Sequence, residues 1–491
     1  MHWLILIISG LFEAVWATAL GKSEGLTRLM PTLVFIGGLV LSMVGLAYAM
    51  RELPTGTAYA VWVGIGATVT VLYAMATGTE PVSLLKVLFL LMIVAGIVGA
   101  ESHLLERQAH NRPMKVLLAV DKFKGTLTGA QLTEALAAGL EGAGGCEVIT
   151  CPIADGGDGT VDAALAAGYS EVTCTVTGPF AGQPVTARYA YSQAERTAVL
   201  EIAEAGGIAR LREDQLDTWR ATSFGAGELI LHAVGAGART LIIGLGGSAS
   251  TDGGAGLMQA LGVTLQDAEG CDLAPGGGAL GQLASVDVTG LDERLAGVEI
   301  IMASDVTNPL CGPSGAAAVY GPQKGATEEQ VPQLDQNLQK LADAVEETLN
   351  VSRGTFATAP GAGAAGGLGF ACLSVLGATM RPGVEVCFEL TGFHRALEQA
   401  DIVITGEGKF DEQTLQGKGP AGVAAEASAR NLPVIAVCGI RELSSDQARA
   451  AGFTAVYSVV GDTQATLEES LANPRPYLHE LAATIASIHL R

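Results

Sequence analysis

Along the first hundred residues, apolar stretches are broken only by short polar ones at 22–28, 51–54 and 78–86, which leaves four hydrophobic spans. Residues 29–50 and 53–79 contain no charged side chain. Both exceed the ~20 residues needed to cross a ~30 Å hydrocarbon layer. A cleaved secretory signal fits poorly, because residues 1–3 have no basic cluster and three further spans follow. After residue 101 the hydrophobicity drops, and HLLERQAHNRP is polar and ends in proline, as a linker does. A different pattern then begins. KVLLAV at 115–120 reads as a buried strand, followed by a polar loop and a helix over about 128–140. Further apolar strands are predicted at 148–151, 241–243, 300–303, 402–405 and 434–437, most leading into a glycine-rich loop and a helical stretch. Alternation of this kind predicts an α/β fold with largely parallel sheets. The expected architecture is multidomain: an all-α four-helix transmembrane unit followed by a two-domain α/β segment.

Charge sharpens that division. The 491 residues carry a formal charge of -22, yet residues 1–113 hold six basic and six acidic side chains, so the whole excess lies beyond them. An acidic surplus of this size repels phosphate backbones and excludes nucleic acid as a partner. The eight cysteines all follow Met114, and none is spaced as CxxC, so reduced buried thiols are expected and no disulfide scaffold. Glycine, at 65 residues, is nearly twice its usual share and is gathered into separate loops.

The first span contains Glu13 between apolar stretches. A carboxylate near the bilayer centre costs about 2.5 kcal/mol or more, so it is retained mainly where it faces a polar cavity and binds protons or cations. Trp16 shares its helical face, and Tyr59 and Trp62 share one on the third span. The segments GLFEAVWATALGKSEGLTR, RELPTGTAYAVWVGIGA and MIVAGIVGA resemble a small multidrug resistance transporter over residues 1–105. Trp16, Ser42, Tyr59 and Trp62 around Glu13 are closest to the guanidinium-exporting branch. That resemblance implies an antiparallel homodimer in which protons and a guanidinium-like cation compete for two Glu13 carboxylates. A planar guanidinium suits a carboxylate because the two form parallel hydrogen bonds. Gly64 and Gly66 read either as a flexible point or as a close helix contact.

In open α/β sheets ligands bind beyond the carboxyl ends of the strands, where six unusual loops are expected here. They are DKFKGTLT (121–128), ADGGDGT (154–160), GLGGSASTDGG (244–254), DVTNPLCGPSGAAAVYGPQKGA (305–326), PGAGAAGGLG (360–369) and TGEGKFDEQTLQGKGP (405–420). Glycine turns let backbone N–H groups approach an anion, and the lysines and carboxylates nearby suit phosphoryl transfer with a bound Mg²⁺. GAGAAG and GLGGSA fit dinucleotide patterns only loosely, no GxxxxGK[ST] is present, and His232 and His394 read as structural. Tight turns in a non-catalytic binding module are the alternative.

Together the six loops resemble the glycerate kinase family that lacks a P-loop, from Met114 almost to the end of the sequence. The resemblance implies ATP-dependent phosphorylation of D-glycerate, with 2-phosphoglycerate as product, on two α/β domains flanking a cleft. A Rossmann-like domain would comprise about 114–180 and 385–491, the second domain 181–384, with a linker at 106–113. Lys124 and the amides of Gly246, Gly247 and Ser248 would hold phosphate or the glycerate carboxylate. Asp155, Asp252 and Asp305 would take the proton or hold Mg²⁺, the metal falling to Asp155 and Asp305. Glu407, Asp411 and Lys418 would face the nucleotide. Lys122, Asp158 and Thr251 depart from the family's commonest residues but keep polarity.

A kinase using ATP belongs in the cytoplasm, which places it inside an inner membrane. Arg51, Arg107 and Arg112 would then lie inside and Lys22, Arg28 and Lys86 outside, a balance that suits dual topology. An antiparallel dimer of two such chains would strand one kinase outside. Three arrangements remain open: pairing with an unfused subunit, a parallel dimer that does not transport, or a kinase translated separately from Met114.

Overall fold

The structure, a computed structural model, describes residues 2–110, 112–416 and 419–490. It divides into two compact units, Met1–Arg112 and Pro113–Arg491.

The first unit is four helices, α1 (His2–Lys22), α2 (Leu29–Ala49), α3 (Thr55–Ala76) and α4 (Leu84–His110). The first three are long and apolar enough to cross a membrane, and the apolar stretch described in α4, Leu84–Ile97, is shorter. Leu29, Met30, Val44 and Leu84 are largely exposed, a surface suited to lipid rather than water. Small residues bring the helices together. Gly45 of α2 lies on Ser9, Gly38 on Trp16, and Gly10 of α1 lies against Ile65 of α3. The linker expected from residue 106 is instead helical as far as His110. Its Glu, Arg, Gln and Ala residues are strong helix formers, and the polarity that marks the segment does not by itself stop a helix.

The second unit contains two main sheets, with strands numbered in chain order. The first is wholly parallel, in the order β13 (Ala455–Ser458), β12 (Val434–Arg441), β11 (Ile402–Phe410), β1 (Met114–Val120), β2 (Cys146–Thr150). Alternate residues of its strands enter opposite layers. Leu117, Ala119, Val403 and Ala436 pack against Val423, Ala427 and Phe393, while Val116, Leu118, Ile404 and Ile435 pack against Leu132, Leu136 and Leu481. Burial on both faces is why these strands read as continuous apolar runs. The helix after β1, Gly129–Ala143, begins with a capping box: the Thr128 hydroxyl accepts from Gln131 N and the Gln131 side chain accepts from Thr128 N.

The second sheet is mixed, in the order β10 (Thr379–Arg381), β9 (Glu299–Ala303), β6 (Thr240–Gly244), β5 (Thr197–Glu201), β4 (Pro184–Ser192), β3 (Ser170–Thr177). Strands β7 (Thr264–Gln266) and β8 (Ser285–Asp287) form a separate pair. The expectation of largely parallel pairing fails for β3–β4–β5, which is antiparallel. The domain boundary expected near residue 180 also moves, since β3 already belongs to the second sheet. SEVTCTVT and PVTARYAYS alternate apolar and polar residues, as strands open to water on one face do, and so contain no continuous apolar run.

Candidate active site

The strand order of the first sheet reverses at β1, which has β2 on one side and β11 on the other. A crevice opens at the carboxyl ends of strands where such an order reverses. Here it is a cleft of about 490 Å³. Asp121, Lys122 and Lys124 follow β1, Glu407, Lys409 and Asp411 come from β11 and the turn after it, and Gly439 and Ile440 from β12. Asp155, Gly157 and Asp158 follow β2, and Gly246 and Gly247, which follow β6 of the other sheet, close the opposite wall.

The glycine turn at 246–248 presents backbone donors that an anion could use. Among the described residues, the N–H groups of Gly246, Gly247 and Ser248 donate no hydrogen bond, whereas the chain around them is pinned. Ile208 N donates to Gly247 O at 2.7 Å and Ala249 N to Gly206 O at 2.8 Å. Gly247 has φ +64°, and a Cβ there would stand 2.6 Å from Asp158 Oδ1, so both its conformation and its neighbour demand glycine. Rigid, unspent donors of this kind stabilise negative charge because they need no reorganisation when it arrives.

Carboxylates line the same cleft as that turn. Asp121 is pushed up to about 7, first by burial and then by the charge of Asp155. Asp155 Oδ1 accepts from Gly157 N at 3.1 Å. Lys122 binds the main-chain oxygen of Asp158 and lies 3.5 Å from its Oδ2. Behind this loop, Glu201 at the end of β5 accepts from Gly159 N at 2.9 Å and Val161 N at 2.7 Å, and burial raises it to about 7. Lys409 pairs with Asp411 at 3.3 Å and Glu442 at 2.9 Å on the rim.

Of the residues singled out in the sequence, the cleft brings together Lys124, Asp155, Gly246, Gly247, Glu407 and Asp411. Ser248 is buried beside it, its hydroxyl accepting from Lys324. Asp305 is exposed at the end of β9, with Oδ1 accepting from Gly383 N at 2.9 Å, and Gly383 packs on the backbone of Asp155. Asp252 does not reach the cleft wall. It is fully buried, and its carboxylate accepts from Ser223 N, Ser223 Oγ, Gly254 N and Gly256 N, which ties the loop together. Lys418 lies outside the described residues. The sequence reading passed over Asp121, Glu201, Gly439, Ile440, Ser470 and Leu471. For Asp121 a partial signal existed, since it is the first residue after the apolar run KVLLAV, at a strand's carboxyl end. For Ser470 and Leu471 none did, because they reach the cleft from a remote helix, Leu467–Ala472.

Among the described residues, no three His, Cys, Asp or Glu side chains are placed to hold a metal by themselves. Asp121, Asp155 and Glu407 in one cleft fit Mg²⁺ of the kind carried mainly by substrate phosphates with one or two carboxylates.

A glycine-lined cleft on a two-sheet α/β unit is a general device, and comparison with known proteins shows which family the chain belongs to. The glycerate kinase family matches residues 116–490. The chain belongs to the glycerate kinase family. A glycerate kinase of Bacillus subtilis is 43% identical over 376 residues, covering 76% of this chain and 97% of its own. The glycerate 2-kinase of Escherichia coli K12 is 39% identical over 379 residues, covering 76% and 98%. The crystal structure of a chain assigned as glycerate kinase 2 from Salmonella typhimurium LT2 superposes with a TM-score of 0.65 at 41% identity, covering 77% of this chain and 99% of that one. The second unit is accordingly a glycerate kinase.

Residues 1–93 match the Small Multidrug Resistance protein family. Here Glu13 of α1 lies directly against Gly66 of α3, where any Cβ would collide with the carboxylate. Trp62 Nε1 donates to Ser42 Oγ at 3.1 Å, and Ser42 Oγ donates to Ser9 O at 2.6 Å, tying the three helices through one hydroxyl. The rings of Tyr59 and Trp62 are 5.7 Å apart, with Tyr59 exposed. Among the described residues, Glu13 Oε2 and Trp16 Nε1 are buried without a hydrogen-bond partner. A buried carboxylate oxygen and a buried donor left unpaired within one protomer are groups that a cation, a proton or a second protomer would satisfy.

Proposed function

We propose that the second unit transfers the γ-phosphoryl group of ATP to the 2-hydroxyl of D-glycerate, giving 2-phosphoglycerate and ADP. The observation that carries this reading is the cleft at β1, where unspent N–H groups at 246–248 face the Asp121–Asp155 pair. Lys124 and the glycine turn hold phosphate or the glycerate carboxylate, and Glu407, Asp411 and Lys418 attend the nucleotide. The hydroxyl oxygen bonds to phosphorus as the bond to the β-phosphate oxygen breaks, and the hydroxyl proton passes to Asp155 or its partner Asp121. Asp155, with Asp305 behind the same loop, would hold Mg²⁺, which would neutralise charge on the phosphates. The name of the Escherichia coli relative supports transfer to the 2-position. Phosphorus NMR of the product distinguishes 2- from 3-phosphoglycerate, and Asp155→Asn is expected to lower kcat by about 100-fold. Absence of glycerate-dependent ADP formation by the unsubstituted chain overturns the reading.

The first unit inserts in the inner membrane and exports a guanidinium-like cation in exchange for protons at Glu13, with Trp16, Ser42, Tyr59 and Trp62 around it. It functions as a dimer with an unfused subunit, so that the kinase remains in the cytoplasm with its ATP. Crosslinking in native membranes tests this pairing: a crosslinked species made only of two full chains excludes it.

A further inference from the structure

Behind the glycine turn lies a charge that the transfer chemistry leaves unused. Lys324 is 4% exposed, and its Nζ donates to Ser248 Oγ at 2.8 Å and to Ser250 O at 2.7 Å. Among the described residues no carboxylate lies within 4 Å of it. Burial lowers this amine to about 7, opposed by Asp252, which faces it across the loop and spends its own oxygens on four other donors. Enclosing an ammonium without an ion pair is costly, and a well-packed apolar side chain would stabilise the fold better.

The surrounding loops are shaped around this amine. Ala365, Gly366 and Gly367 run consecutively through left-handed backbone, with φ of 51°, 73° and 93°. Gly366 O accepts from Gly253 N at 3.0 Å, and a Cβ on Gly366 would stand 2.9 Å from Lys324 Nζ. Left-handed backbone is unfavourable for alanine, and strain of this kind gathers at functional sites. The loops GPQKGA and PGAGAAGGLG thus do not line the cleft. They clamp the turn that does.

We propose that Lys324 is a positioning residue for an anionic oxygen group, phosphoryl or carboxylate, bound at residues 246–248. Its ammonium fixes Ser248 and Ser250 from behind and adds positive charge beneath the turn. The inference rests on the kinase reading of the cleft. With its oxygen accepting from Lys324, the Ser248 hydroxyl keeps its proton for the ligand, beside three unspent N–H groups. The ligand's charge completes the ion pair that the fold withholds.

The test uses the full chain in detergent, with Lys324→Met and Ser248→Ala. Binding of ADP, inorganic phosphate and D-glycerate is measured by calorimetry, beside kcat, KM and thermal midpoint. Lys324→Met is expected to weaken ADP and phosphate at least about tenfold and to raise the matching KM more than it lowers kcat. Its thermal midpoint should equal or exceed that of the unsubstituted chain, because a buried charge is gone. Weakened D-glycerate with ADP unchanged assigns the turn to the carboxylate and upholds the proposal. Unchanged affinity for all three ligands in a folded Lys324→Met chain overturns it. If that chain does not fold, Ser248→Ala decides, and unchanged affinities there overturn it equally. Lys324-dependent ADP binding in a chain that does not phosphorylate glycerate sustains this inference while removing the kinase reading.

Discussion

In the membrane unit Glu13 lies against Gly66, and in the kinase unit Asp158 lies against Gly247, with a missing Cβ making room for a carboxyl oxygen in both. The two glycines nevertheless serve different ends. Gly66 sits inside the regular helix α3, where its backbone is committed to helical hydrogen bonds, so only the space it leaves is useful. Gly247 sits in a left-handed turn whose N–H is unspent, so it offers both space and a donor. A regular helix has no backbone donor to spare, so what Gly66 offers beside Glu13 is space alone. Beyond the end of a sheet strand a turn can keep donors that an anion is able to use.

Glu13→Gln tests the contrast most severely. It removes the ionisable group while keeping shape, and cation-driven proton movement in proteoliposomes should fall to background while glycerate kinase turnover is unchanged. A parallel loss of kinase activity would break the separation of the two units. Gly247→Val comes next. It forces a branched residue into positive φ and a Cβ into the Asp158 carboxylate, so kcat/KM for phosphorylation should fall by about 100-fold with cation transport intact. A smaller effect is expected at Glu201, which anchors the neighbouring loop from behind. Its carboxyl titrates near 7 in the folded chain against an ordinary value of 4.5, because burial disfavours the ion. Below 4.5 it is protonated folded or unfolded and contributes nothing. As pH rises from 4.5 to 7 the folded state loses up to about 3 kcal/mol, and above 7 that cost is constant. Glu201→Gln should therefore melt higher than the unsubstituted chain at pH 8 and equally at pH 4.5. A higher melting point at both would show that the charge is not the cause.

Much of this was legible in the residues because it depends on short stretches. Continuous apolar runs marked β1, β6, β9, β11 and β12, which are buried on both faces, and the change from the polar loop to a helical pattern near Thr128 placed the helix after β1. The strands β3 and β4 escaped because one of their faces is wet and their pattern alternates. Glu13 stood out because a carboxylate in an apolar span has few structural uses. Asp121 did not stand out beside the two lysines that follow it, and only the pairing of Val120 with Gly406 sets it beside Glu407.

By itself, the sequence determined two units, their element types and six glycine-rich loops, since helix, strand and turn follow from local periodicity and from glycine's freedom at positive φ. Only the tertiary structure decided what each loop does. A loop reads the same in sequence whether its N–H groups meet solvent or a neighbouring chain. At 246–248 the donors stay unpaired among the described residues, while Lys324 and the left-handed segment at 365–367, far along the chain, hold the residues around them from behind.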